Sequence, residues 1–230
     1  MNIGSKMVAV FTSPKKALEA IAEKPDWLAP MVVSVLIGIL FALTVVPAVV
    51  MPATMVKTME QMRDRGVPED KIEEAMKFMA GPLPVIFGVV GVILATPINL
   101  LIISSVLFGL SALFGGKARF VQVFSAVTYS GLISSLGTIL KGLLMYFQHS
   151  MHAGTSLALI LSEDLRESFL YRFLGQFDLF TLWHLSVLSL GLAVIYRWKT
   201  AKPASILFGL WLLWALVSSA LGGIVHFGTA

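Results

Sequence analysis

The chain has 230 residues, of which 57% are hydrophobic and only 13% are charged, whereas soluble domains carry about 25% charged residues. Several apolar runs exceed the roughly 20 residues that cross a bilayer core, so the composition excludes a soluble globular protein. Cysteine is absent, which excludes disulfides, a thiol nucleophile and a thiolate metal site. The net charge of +4 is small and spread beside the apolar runs, which fits anionic lipid headgroups and not nucleic acid.

Residues 1–27 are predicted to form a cytoplasmic amphipathic segment ahead of the first apolar run. A short helix is expected to begin at Pro14, with Lys15 and Lys16 in its first turn. Cations at that end oppose the helix dipole, so local stability does not explain them. Attraction to anionic headgroups does, at about 1 kcal/mol per lysine, and Trp27 suits the interfacial aromatic belt. Lys15, Lys16 and Trp27 are therefore predicted to anchor the segment to lipid headgroups.

The apolar runs that follow predict an all-α integral membrane fold, a five-transmembrane-helix bundle with amphipathic interfacial helices. Asp26 precedes the first run and is expected to cap it. Pro47 and Pro52 are expected to bend or end that helix, and Pro97 to kink the second span. Together these elements form one predicted membrane domain over residues 28–230. The spans are predicted at 28–51, 83–114, 120–147, 179–196 and 203–227, and the amphipathic helices at 53–80 and 163–174.

The third predicted span is rich in small polar residues, which let helices approach closely in lipid, so we expect it at the centre of the bundle. Lys141, towards the end of this span, either snorkels to the membrane surface or faces a polar interior. His184, in the fourth span, either hydrogen-bonds across helices or handles protons or ions. The candidate polar path that results consists of Ser130, Ser134, Thr138, Lys141 and His184.

Catalysis and metal binding have weaker support in the sequence. Ser130, with a later histidine such as His184 or His226, has the components of a rhomboid-type intramembrane protease. That motif places glycine two residues before the serine, where this chain has Thr128.

His149 and His152 are three residues apart and offer one face of a metal site, but no ligand spacing completes it. The pattern favours a polar interface pair, and we expect no metal and no cofactor.

The distribution of basic residues predicts the orientation in the membrane. Short loops without acidic residues lie next to the ends of the spans, where Lys and Arg count most towards a cytoplasmic location. We therefore expect a cytoplasmic N-terminus and an outside C-terminus in a bacterial inner membrane. The residues concerned are Lys117, Arg119, Arg197, Lys199 and Lys202.

Four stretches carry a resemblance to a known family. They are FTSPKKALEAIAEKPDWLAP at 11–30, LFGGKARFVQVFSAVTYSGL at 113–132, FDLFTLW at 177–183 and LGLAVIYRWKTAKPASI at 190–206. Together they resemble the Yip (Ypt-interacting protein) family in its short bacterial form. The resemblance implies five transmembrane helices and a cytoplasmic N-terminus. Eukaryotic members bind prenylated Rab-type GTPases through a long N-terminal region with an Asp-Leu-Tyr-Gly-Pro type motif, which this sequence lacks, so GTPase binding is not carried over.

Three functions remain open on the sequence. The leading hypothesis is a non-enzymatic membrane protein that organises the membrane or acts as a partner-binding scaffold. The alternative is a small-solute or ion transporter or channel that uses the polar third span, and the third is an intramembrane serine hydrolase. The expected partners are membrane lipids with anionic headgroups at the cytoplasmic face, together with a protein partner or a second copy of the chain.

Overall fold

The computed structural model describes residues 1–151, 153–166 and 168–227, without the side chains of residues 163 and 223–227. The chain is 83% helical. Across the described ranges extended backbone pairs only in an isolated bridge between Ser156 and Asp178. Among the described residues, five helices are long and apolar enough to cross a membrane. The predicted fold class, an all-α membrane protein with five apolar spans, is thereby confirmed.

The described part of the chain contains ten α-helices. Residues 46–50 form a π-helical segment between the third and fourth of them, and two 3₁₀ turns, Leu157–Ile160 and Glu163–Leu165, precede the eighth. The α-helices are α1 (Ile3–Thr12), α2 (Pro14–Glu23), α3 (Leu28–Val45), α4 (Met51–Asp64), α5 (Glu69–Ala80), α6 (Leu83–Leu113), α7 (Phe120–Gln148), α8 (Phe169–Gly175), α9 (Leu179–Tyr196) and α10 (Ala201–Phe227).

Contacts between residues group the described chain into two compact units. The first unit contains Met1–Met31, Leu100–Leu136 and the described residues from Thr155 onward. The second contains Val32–Asn99 and Gly137–Gly154. Helices α1, α2, α8, α9 and α10 therefore belong to the first unit, and α4 and α5 to the second.

The beginning of α7 forms the core of the first unit. Val123, Ala126, Val127, Tyr129 and Ile133 are all at most 1% exposed. Thr128 and Ser130 of the same stretch are equally buried, and their hydroxyls donate to carbonyls of their own helix. Of the five apolar helices, α7 has the largest buried share, as expected for a span with small side chains.

The second unit contains the helical segment that Pro47 and Pro52 were predicted to bend or end. Pro47 and Pro52 do not end the first span, because the helix continues to Asp64 through the π-helical segment at 46–50. Proline has no backbone N–H to donate, and the wider π-helical turn lets the helix continue past the missing hydrogen bond.

At the connection between α4 and α5, Arg63 donates to Glu69 over 2.6 Å. This hydrogen bond lowers the pKa of the Glu69 carboxyl from its ordinary value.

Candidate functional site

The first unit contains a buried ionic cluster that ties its N-terminus to two later segments. Lys6 is 1% exposed, although a lone lysine is rarely buried. Its Nζ donates to the Lys24 carbonyl over 2.7 Å and to Asp26 Oδ2 over 2.9 Å. The other carboxylate oxygen, Asp26 Oδ1, accepts from the Tyr129 hydroxyl of α7 over 2.5 Å. We refer to Lys6, Asp26 and Tyr129 as the N-terminal clasp.

The clasp corrects one prediction from the sequence. Asp26 was expected to cap the first span, but α3 begins at Leu28 and both carboxylate oxygens bind other partners. Asp26 therefore joins α1 to α7 and does not cap α3. The sequence analysis assigned no helix to residues 3–12 and did not identify Lys6 or Tyr129.

Helices α1 and α2 form an N-terminal helical hairpin that packs within the first unit. Helix α1 packs against α2, and α2 packs against α9. On α2, Ala17, Leu18 and Ile21 are at most 1% exposed. Gly191 of α9 permits the close approach, because a Cβ there would lie 3.1 Å from Leu18 Cδ2 and 3.2 Å from Ala126 Cβ of α7.

Two further contacts hold the hairpin in place. The ring of Phe11 meets that of Trp183 edge to face, with 6.0 Å between centroids. Gln122 at the start of α7 donates to the Ala22 carbonyl over 2.7 Å. The apolar face of α2, expected to lie in the membrane surface, is thus buried against protein.

The predicted lipid-anchor residues have unequal environments. Lys15 and Lys16 are both exposed on α2. Trp27 is half-buried, and its ring packs against that of Phe124 with 5.3 Å between centroids. Contact with headgroups therefore remains a prediction for the two lysines, whereas Trp27 also has a packing role inside the unit.

His184 lies next to Ser130, but its imidazole contacts the main-chain carbonyl of Ser130 and not the hydroxyl. His184 Nδ1 lies 2.9 Å from the Ser130 carbonyl oxygen, which accepts only, so Nδ1 must carry the proton of that bond. The Ser130 hydroxyl instead donates to the Ala126 carbonyl over 2.7 Å. The pair is a helix–helix hydrogen bond, and it lacks the hydroxyl-to-imidazole contact that a serine nucleophile requires.

The other residues of the candidate polar path lie apart from that bond. Ser134 is exposed on the first-unit part of α7. Thr138 lines a groove of about 460 Å³ in the second unit, whose described lining residues include no Lys, Arg, Asp, Glu or His. The Lys141 side chain is exposed and does not line that groove.

A second feature of the first unit is a cleft of about 560 Å³ between α2 and the end of α9, here named the basic cleft. Arg197, in the connection, has φ 54° and ψ 38°, a left-handed conformation that usually selects glycine at a helix end. The neighbouring Lys202 lies 3.9 Å above the Trp198 ring. The cleft is lined by Lys15, Glu19, Leu190, Ala193, Val194, Arg197, Trp198 and Thr200.

The histidines of the weaker sequence hypotheses are described only in part. Within the described residues no group of three His, Cys, Asp or Glu side chains could hold a metal ion. His152, the predicted partner of His149, lies outside the described residues, as does the side chain of His226.

Comparison with known proteins gives one match. A family model described as the Yip1 domain matches residues 8–222, nearly the whole chain. No curated protein and no solved structure matches it. The matched region begins inside α1 and extends into α10, so it includes α2, Asp26, Tyr129 and the basic cleft, and it begins after Lys6.

Proposed function

Since the chain belongs to the Yip1 domain family, whose model matches residues 8–222, we propose that this membrane protein is a non-enzymatic scaffold that organises the membrane or holds a protein partner. The observation that supports this most is the N-terminal clasp. Its buried Lys6–Asp26 pair of 2.9 Å fixes a helical hairpin onto the spans. Buried ion pairs add little net stability but specify one arrangement, as a surface displayed to a partner requires.

The hydrogen bonds and the exposure of the other polar groups support the same proposal. His184 and Ser130 are engaged in a helix–helix hydrogen bond, and Lys141 is exposed. A transporter needs polar groups that face a pathway, whereas these groups secure packing or reach the helix surface.

We further propose that the hairpin lies on the cytoplasmic side of an inner membrane, with the C-terminus outside. With five spans, the hairpin shares its side with the connections after α6 and after α9. The described part of those connections holds four basic residues, and Lys202 lies in the first turn of α10. The four are Lys117, Arg119, Arg197 and Lys199. Lys and Arg in short connections next to spans are retained in the cytoplasm.

Cysteine labelling will test this orientation. The chain contains no cysteine, so Lys16→Cys and Ser162→Cys each introduce a single thiol at an exposed position. An impermeant maleimide should label Ser162→Cys in intact cells and Lys16→Cys only after permeabilisation. Labelling of Lys16→Cys from outside would contradict the proposed orientation.

Photo-cross-linking and flux together will test the scaffold. A cross-linking residue in place of Val8, 64% exposed on α1 of the hairpin, should give a discrete protein adduct in membranes. The same residue in place of Leu213, 59% exposed on the apolar span α10, is the matched control and should give only lipid adducts. Proteoliposomes containing the chain should conduct ions no faster than protein-free ones. Flux that disappears in Lys141→Ala or His184→Ala would replace the scaffold with a transporter.

A further inference from the structure

We infer that the basic cleft binds the headgroup of an anionic phospholipid, with the phosphate between Lys15 and Arg197 and an acyl chain along α9. The cleft combines an apolar wall with a cationic rim. Its volume is about 560 Å³, and its apolar wall is formed by Leu190, Ala193 and Val194 in the last two turns of α9. Its rim carries the cations. A site that is apolar along a span and cationic at the end of that span matches an amphiphile better than a free ion.

The backbone of Arg197 supports a role for its side chain. Left-handed geometry is unfavourable for any residue with a Cβ, and glycine adopts it freely. The helix end itself is formed by main-chain bonds, with Trp198 N–H donating to the Ala193 carbonyl over 3.0 Å. Glycine would therefore terminate α9 equally well. The arginine adds a cation to the cleft, but its left-handed backbone is strained. Strained backbone conformations cluster at binding sites.

Lys15 and Arg197 are also free to bind. Elsewhere in the first unit, Lys6 is paired with Asp26, and Lys202 lies over Trp198 and reaches the Phe114 carbonyl. Within the described residues the side chains of Lys15 and Arg197 have no hydrogen-bond or ion-pair partner. An anion that contacts both cations of one cleft is stabilised by each of them.

Glu19 indicates which headgroup fits. Its carboxylate lines the same cleft as the two cations, so it repels a bare dianionic phosphate. It accepts a hydrogen bond from a hydroxyl next to the phosphate. The preferred ligand is therefore a phospholipid with one phosphodiester charge and a hydroxylated headgroup, the chemistry of phosphatidylglycerol.

The test is lipid titration of the full-length, delipidated protein in neutral detergent, followed by native mass spectrometry. Wild type should bind one phosphatidylglycerol more tightly than phosphatidylcholine. Lys15→Ala and Arg197→Ala should each raise the apparent Kd about fivefold, the effect of one interfacial cation. Lys16→Ala removes the same charge from the next residue, which does not line the cleft, and should change Kd less than twofold.

Arg197→Gly separates binding from folding. It relieves the left-handed strain, so Tm should rise while phosphatidylglycerol affinity falls as in Arg197→Ala. Glu19→Gln should narrow the preference for phosphatidylglycerol over phosphatidic acid. Equal losses in Lys15→Ala and Lys16→Ala, or equal binding of phosphatidylcholine, would overturn the site. Displacement of phosphatidylglycerol by millimolar inorganic phosphate would assign the cleft to a free anion and overturn its assignment to lipid. The inference rests on the proposed orientation in one respect, the leaflet that supplies the lipid. Titration in detergent does not depend on orientation, so the lipid site and the orientation can fail separately.

Discussion

Replacing Asp26 with asparagine is expected to lower the free energy of unfolding by about 3 kcal/mol, because the Lys6 ammonium then stays buried without a counter-charge. The Lys6 side chain is 2% exposed and that of Asp26 is 25% exposed. Removing one partner of a buried ion pair costs about 3–5 kcal/mol, and the partial exposure of Asp26 places this pair at the lower end. Equilibrium unfolding in mixed micelles measures the change.

Two further variants determine the cause of that loss. Lys6→Met combined with Asp26→Asn removes both charges, so it should recover most of the stability. Glu69→Gln breaks the Arg63–Glu69 pair, whose side chains are 54% and 69% exposed, and should cost less than about 1 kcal/mol. A double variant as unstable as Asp26→Asn alone would show that Asp26 acts through something other than the charge of Lys6.

The spans could be predicted from the sequence because the signal for them is local. A run of apolar residues long enough to cross a bilayer has one stable solution, a helix with all its backbone bonds satisfied internally. The sequence therefore predicts the fold class without any knowledge of which helices touch. It did not predict the continuation of the first span past Pro47 and Pro52 to Asp64, since a π-helical turn leaves no signature in composition.

The clasp could not be predicted in the same way, because its members are far apart in the chain. Tyr129 and Asp26 are separated by 103 positions, and neither residue type is unusual beside a span. One local signal was present. Lys6 shares a helical face with Ala9 and Val10, three and four residues on, both buried. A lysine on the apolar face of a helix indicates either burial with a partner or snorkelling.

The histidine and the amphipathic helix show the limit of pattern analysis at the site. The sequence left two roles open for His184, a bond across helices or the handling of protons or ions. In the structure its imidazole bonds to the Ser130 main-chain carbonyl, a group that every residue possesses. The pattern of α2 likewise identified its apolar face but not what covers it. Helical periodicity specifies which side chains point the same way, and only the tertiary fold decides between lipid and protein as the neighbour.

Enlarging Gly191 to isoleucine is expected to separate the N-terminal helical hairpin from α9. A Cβ at this position would already lie 3.1 Å from Leu18 Cδ2 and 3.2 Å from Ala126 Cβ. The branched side chain has no space between α2 and α7. Overpacking costs about 1–3 kcal/mol where neighbours shift. Helix α2 is the neighbour expected to shift, because α7 forms the core of the first unit. Limited proteolysis should therefore cleave the N-terminal segment faster, while the spans stay protected.

Gly209 provides the matched control, because it is also a glycine in a spanning helix and nothing lies within 4 Å of the Cβ that it lacks. Gly209→Ile should leave the proteolysis rate and the stability unchanged.

If Gly191→Ile and Asp26→Asn both act by releasing the hairpin, the hairpin is already detached when the second substitution is added. The double variant should then lose less stability than the sum of the single losses, since residues that hold one element are coupled. Strict additivity would mean that the clasp and the contact at Gly191 stabilise the first unit independently, and that the hairpin does not detach as one body.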